Sequence, residues 1–351
     1  MEQQIQEPKV DTRLVAPRKG PLRLVLQLLT LAVVTIGVVL AIVVLIPDEN
    51  DYAKATLLKH DRLASLTDRK VVLVGGSNLS FGMESDIIER ETACPTVNMG
   101  MNGYFGARYM LNEVKPDLRS GDIVVLAFEW DNYGKSVDGT GKDLLAIAKT
   151  NPSALSYFTP YQMGAAALEI PYIAQVKILR VMGQSLQAVR SILVATEPQE
   201  KSLINQVESF KSFDFQGDLN GHDGVVWDWE FEQGLDLTTT GIDLEIISLI
   251  KDFVRVMRER EVTVIMSYTP TMRQYYQLQS GPINEAHRLL TSGPDAVEAP
   301  RPPEDFVFDS SHFFDTVYHV KTTTRVERSQ MVADDIHIVL GTKPDCRTNT
   351  P

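Results

Sequence analysis

The chain has 351 residues, 44% of them hydrophobic and 23% charged, with a formal net charge of −12 at pH 7. Apolar material on that scale supports one sizeable core of α/β type and excludes general disorder. Residues 1–46 hold five of the 34 Lys and Arg and three of the 46 Asp and Glu, so the remainder carries 29 against 43, formally −14. That surface argues against nucleic acid and anionic lipid as partners.

In chain order, residues 1–23 read as a polar, proline-containing cytoplasmic tail. From Leu24 to Ile46 the sequence LVLQLLTLAVVTIGVVLAIVVLI has no charged residue. At about 1.5 Å of rise per residue such a helix covers the roughly 30 Å hydrocarbon core of a bilayer, so residues 24–46 are expected to be embedded in lipid. Lys9, Arg13, Arg18, Lys19 and Arg23 precede it, and Asp48, Glu49 and Asp51 follow it. By the positive-inside rule the N-terminus stays in the cytoplasm and the main domain is periplasmic or extracellular, which makes a single-pass cell-membrane protein. The run ends in VVLIPDEN, without a small-x-small cleavage site, as an uncleaved signal anchor does.

Residues 47–69 are expected to form a stalk, helical from Asp51 to Leu66, and residues 70–345 the main domain. Lys70–Gly75 (KVVLVG) has the β-branched, unbroken apolarity of a parallel strand buried on both faces. A helix near Glu84–Glu91, a strand at Thr96–Met99, a helix near Ala107–Val114 and a strand at Asp122–Phe128 follow. Strands alternating with helices at this spacing predict a right-handed parallel sheet with helices on both faces. From about 131 to 234 the alternation stops, and a helical insertion containing Trp227 and Trp229 is expected. An amphipathic helix at Ile242–Glu259 and a strand at Val262–Ser267 resume the core, with a further short strand at Phe306–Phe308. The last helix is expected between Thr322 and Asp334, closing with the apolar run IHIVL, before a short tail at 346–351. Cys94 and Cys346 either form a disulfide that ties down this tail or stand as two thiols. Neither has the Cys or His neighbours of a zinc site, and no metal or cofactor is expected.

Ligands of such sheets bind at the carboxyl ends of the strands, and three segments there carry chemistry. In VLVGGSNLSFG, Val72–Gly82, a strand ends in two glycines and Ser77, whose hydroxyl would point into the crevice. VNMGMNGYFG, Val97–Gly106, brings glycine N–H groups and the Asn102 amide alongside. FFDTVYHV, Phe313–Val320, offers the carboxylate and imidazole that a serine nucleophile needs. Each also has a plain structural use. Ser77 suits a helix N-cap, Gly100 and Gly103 suit turns, His319 suits a cap on the last helix, and Asp315 a loop. Glu129 ends the third strand, where site residues cluster, and equally suits a solvent-facing acid. Trp227 and Trp229 could line a sugar or acyl groove or fill the insertion's core. No lysine follows GGSN in P-loop fashion, and GxGxxG is absent.

Serine after the first strand, glycine after the second, and Asp plus His before the last helix: this order resembles the SGNH, or GDSL-like, hydrolase family. Over the core, about half the chain, Gly75, Gly76 and Ser77 resemble the family's Gly-Asp-Ser block, with Ser77 as nucleophile. Gly100 resembles its oxyanion-hole glycine, His319 its base and Asp315 the partner of that base. The resemblance implies a three-layer, flavodoxin-like α/β fold. It also implies an esterase or O-acyltransferase working on acyl esters, for which the anchor suggests cell-envelope glycans. Gly76, Asn78, Gly100 and Asn102 are then the candidate oxyanion and substrate-binding residues.

The chain departs from the pattern in three places. Gly76 stands where the family has Asp. FEWDNYG replaces the third block's Gly-x-Asn-Asp and displaces Asn132, leaving Asn102 or Asn78 as the third donor. Asp315 precedes His319 by four residues rather than the family's three, a spacing that Asp309 and His312 do have. His319 is preferred because the terminal helix begins directly after it. The altered third block is also what a non-catalytic member would show, serving as a binding or assembly subunit with protein partners in envelope polysaccharide or lipid export.

Overall fold

The computed structural model describes residues 21–134, 137–194, 203–225, 227, 234–341 and 346. Trp229 and the greater part of the N-terminal tail lie outside these residues. Helix α1, Pro21–Leu45, has a mean hydropathy of 3.1 over Leu22–Leu45 and is long and apolar enough to cross a membrane. Its side chains face outward except near its C-terminal end, where Val43 is buried.

The domain begins with α2, Ala55–Ser65, which lies against the body of the fold, with Ala55, Lys59 and Leu63 buried. Strand β1, Val71–Gly75, leads into α3, Ser77–Gly82, and α4, Ser85–Thr92. Strand β2, Thr96–Asn98, is followed by α5, Ala107–Val114, and β3, Ile123–Ala127. Between β3 and the next strand come α6, Asp131–Gly134; α7, Gly141–Thr150; α8, Pro160–Val194; α9, Leu203–Val207; α10, Leu237–Thr240; and α11, Leu244–Glu259. Strands β4, Thr263–Met266, and β5, Thr271–Met272, then precede α12, Arg273–Thr291; β6, Val307–Phe308; and α13, Thr322–Leu340.

The fold is α/β, as the alternation predicts, with a parallel four-stranded sheet of order β2-β1-β3-β4. Strands buried on both faces need a core on each side, and alternate residues divide accordingly. Val72, Val74, Val124, Leu126 and Met266 join the larger core with α2, α5, α11 and α12. Val71, Leu73, Val125 and Ile265 join the smaller one with Leu79, Ile88, Val332 and Ile336 of α3, α4 and α13. Three layers result.

Two expectations about the C-terminal third are corrected. The short strand at Phe306–Phe308 forms β6, which pairs with β5 in a separate two-stranded sheet rather than extending the main one. The last helix, α13, closes with the IHIVL run as expected but reaches Leu340 rather than ending near Asp334, because Val332, Ala333 and Ile336 recur at helical spacing on its buried face. Beyond α13, Cys346 is disulfide-bonded to Cys94, which follows α4.

Candidate active site

Strand β1 ends in the pair Gly75-Gly76, and the chain turns directly into α3 at Ser77. The turn needs glycine. A Cβ on Gly75 would stand 2.2 Å from the backbone carbonyl oxygen of Ala127, which cannot give way, and one on Gly76 would press on the Glu129 carboxylate. Arg328, buried on α13, holds the first turn of α3 from behind, donating Nη1–H to the Asn78 carbonyl at 2.7 Å and Nη2–H to Asn78 Oδ1 at 2.9 Å. Ser77 is thereby fixed at the carboxyl edge of the sheet.

The segment Phe313–Val320 closes on itself through an antiparallel bridge between its two ends, and the Phe314 N–H donates to the His319 carbonyl at 2.8 Å. Within this loop Asp315 reaches back to His319, with Oδ1 2.7 Å from Nδ1. His319 Nε2 in turn lies 2.8 Å from Ser77 Oγ. The ring of Phe81 stacks on the imidazole at 3.9 Å between centroids and 2° between planes, which fixes its orientation. The other pair is elsewhere: Asp309 accepts from Arg273 Nε, and His312 Nδ1 bonds Thr324 Oγ1 at 2.8 Å. Four-residue spacing therefore brings Asp315 and His319 onto Ser77, and the three-residue pair does not reach it.

The expected oxyanion donors are engaged in other ways. The Gly100 N–H donates to Asn98 Oδ1 at 2.9 Å. Asn102 Oδ1 accepts the Tyr104 N–H at 2.9 Å, and its Nδ2 faces Asp143 Oδ1 at 3.3 Å. Asn78 is wholly buried, with Nδ2 donating to the Ala127 carbonyl at 2.9 Å and Oδ1 held by Arg328. Of these, Asn102 lines the same cleft as Ser77, whereas the Gly100 N–H and the Asn78 side-chain amide are committed to Asn98 and to the Ala127 carbonyl. The group that meets the serine hydroxyl is Glu129. Its Oε1 accepts the Ser77 hydroxyl at 2.7 Å and the Asn78 N–H at 2.9 Å, and the side chain is only 7% exposed. A Cβ on Gly103 would meet its other oxygen at 2.2 Å, so glycine at 103 makes room for this carboxylate. Asn132, two residues into α6 from β3, lies beside it and donates Nδ2–H to the Gly103 carbonyl at 2.8 Å.

Four groups thus form one chain, Asp315, His319, Ser77 and Glu129. Its three hydrogen bonds require three protons, and a serine hydroxyl with a neutral imidazole supplies two. The third resides on His319 or on Glu129. Burial alone would lower the His319 pKa, but the neighbouring carboxylates of Asp315, Glu129 and Glu208 outweigh it and hold the imidazole above its ordinary 6.5. That balance favours the charged imidazole, which can donate to Ser77 while Ser77 donates to Glu129.

These groups open into a cleft of about 870 Å³. Its wall includes Tyr52, Phe81, Tyr104, Trp227 and Tyr318, together with the acids Glu129, Asp131, Glu208 and Asp315, and among the described residues no Lys or Arg lines it. Burial raises the Glu208 pKa. Among the described residues no group of three or more His, Cys, Asp or Glu could hold a metal ion.

No protein-family model and no curated protein matches this chain. Among solved structures the chain is similar to an acetyl xylan esterase, Est2A, from the rumen bacterium Butyrivibrio proteoclasticus, at 12% identity and a TM-score of 0.31. The alignment covers 79% of this chain and 65% of that one. So loose an overlap leaves the chemistry to be argued from the residues of the cleft.

Proposed function

We propose that this chain is a membrane-anchored serine enzyme of SGNH type, an esterase or O-acyltransferase acting on acyl esters of cell-envelope glycans outside the cytoplasm. The observation that carries the reading is the relay from Asp315 through His319 to Ser77, 2.7 and 2.8 Å in its two steps, at the mouth of a large aromatic cleft. In its neutral form His319 takes the Ser77 proton on Nε2 as Oγ bonds to the ester carbonyl carbon, and Asp315 stabilises the imidazolium. The tetrahedral intermediate collapses to an acyl-serine when Nε2–H protonates the departing alkoxide. Water then completes an ester hydrolysis, and a sugar hydroxyl completes a transfer. The basic flank before α1 and the Cys94–Cys346 bridge both support an extracytoplasmic domain. The choice of envelope glycans rests on that location.

One observation favours a second reading, a non-catalytic binding or assembly subunit of an envelope export system. Glu129 holds both the Ser77 hydroxyl and the Asn78 N–H, where a developing oxyanion would need donors. Labelling the full chain with a fluorophosphonate separates the two. Labelling that is lost in Ser77→Ala and His319→Ala supports the enzyme. A wild-type chain that neither labels at Ser77 nor hydrolyses an aryl acetate overturns it in favour of the binding subunit.

A further inference from the structure

Helix α8 runs for 35 residues, about 52 Å at helical rise, far longer than its packing on the domain requires. Its first turns lie against α7, and further along it meets the C-terminal end of α1. There Val39, Ile42 and Val43 of α1, Ile46 just after it, and Ala174, Lys177 and Arg180 of α8 are all buried or half-buried. Lys177 Nζ donates to the carbonyls of Val43, at 2.8 Å, and Ile46, and pairs with Asp48 at 2.9 Å. Arg180 donates to the Pro47 carbonyl. Carbonyls at a helix C-terminus lack partners within the helix, and these two cations supply them while offsetting its negative dipole end. The junction of α1 and α8 is thus built, not incidental.

Among the described residues nothing covers the outward face of α8 between Pro160 and Leu186. From Pro160 to Leu186 none of its exposed positions carries a charge, in a chain that is 23% charged. Leu168, Tyr172, Leu179, Met182 and Leu186 follow one another at spacings of four, seven, three and four residues and are 56–82% exposed, with Leu168 at 82% and Leu186 at 69%. Beside α1 the apolar surface widens beyond a stripe, since Val176, Ile178 and Val181 are also exposed and the intervening cations turn onto α1. A partner helix would cover a narrow seam, whereas an apolar surface that wraps most of a helix suits hydrocarbon. Large contiguous apolar surface left in water is costly, and tyrosines on it suit the headgroup level.

We propose that α8 lies in the outer leaflet of the same bilayer that α1 spans, docking the domain on the membrane along this face. The inference rests on the reading of α1 as a membrane span. Both native cysteines are paired in the disulfide, so single cysteines introduced elsewhere label selectively. Thr35→Cys on α1, Leu179→Cys and Leu186→Cys on α8, and Glu259→Cys on the far helix α11 would each carry an environment-sensitive fluorophore. The full chain is placed in nanodiscs of phosphatidylcholine and phosphatidylglycerol, with or without spin-labelled acyl chains. Strong quenching is expected at 35, 179 and 186, with none at 259. Quenching at 35 without quenching at 179 and 186 overturns the docking of α8 and leaves the span standing, with a protein partner as the cover. Absence of quenching at 35 overturns the span and the docking together. Fluorophosphonate labelling of the same variants is expected to stay at the wild-type rate, since none of the four positions lines the cleft.

Discussion

Replacing Glu129 by glutamine should accelerate the acylation of Ser77. The carboxylate oxygen lies 2.7 Å from Oγ, so an oxyanion on the carbonyl that Oγ attacks would develop roughly 4 Å or less from a like charge. At an effective dielectric near 20, two unit charges about 4 Å apart repel by about 4 kcal/mol, equivalent to roughly a thousandfold in rate. The imidazolium formed in the same step lies on the other side of Oγ and offsets part of this, so an increase of about ten- to a hundredfold is the expected net effect. Glutamine keeps the shape between Gly76 and Gly103, still accepts the Asn78 N–H through Oε1, and adds an N–H for the oxyanion. The second-order rate of fluorophosphonate labelling and kcat/KM for an aryl acetate both read it. Losing a carboxylate that raises the His319 pKa should also move the acid limb of the pH profile to lower pH. A Glu129→Gln enzyme slower than wild type would refute the reasoning and make the carboxylate a required proton acceptor.

Asp315→Asn should slow labelling by about 10²- to 10⁴-fold, the usual worth of an oriented general base, while Asp309→Asn leaves it unchanged; equal effects would dismantle the assigned pair. Because the His319 pKa is raised, the neutral base accumulates only above it, so labelling should rise with pH through a midpoint higher than 6.5, and a lower midpoint contradicts the environment described. Arg328→Met removes the partners of the Asn78 carbonyl and Oδ1 in a buried setting and should cost about 1–3 kcal/mol of stability for each unmet group, read as a lowered urea midpoint together with slower labelling. Cys346→Ser opens a link across 252 residues and should lower stability by roughly 2–5 kcal/mol, to be checked by the same unfolding curves with and without reductant.

The sheet was legible because Val71–Gly75 and Ile123–Ala127 are unbroken apolar runs, the signature of strands buried on both faces. The positions of Ser77 and His319 followed from their order relative to those strands. The four-residue reach of Asp315 was harder to read, because it depends on the bridge between Phe313 and Val320 that folds the loop back. Glu129 carried only its position at the end of the third strand, a signal that a solvent-facing acid shares. Its place depends on register: β1 and β3 pair in parallel with Gly75 opposite Ala127, so two residues further on Ser77 stands opposite Glu129. Had that register been known, the strand-end acid would have been a site residue from the start. The partners of Asn78 and Asn102 were hidden because they are distant in sequence: the Asn78 amide donates to the Ala127 carbonyl and that of Asn102 faces Asp143.

Tyr52 lines the cleft, and Ile46 is held by Lys177 at the end of α1. Six residue steps separate them, a leash of at most about 20 Å when fully drawn out. With α1 in a bilayer, Ser77 would be confined to a thin shell over the lipid, where encounters are close to two-dimensional. An ester free in solution would then meet this serine only by coming to the membrane, whereas one held at the membrane would stay within its reach.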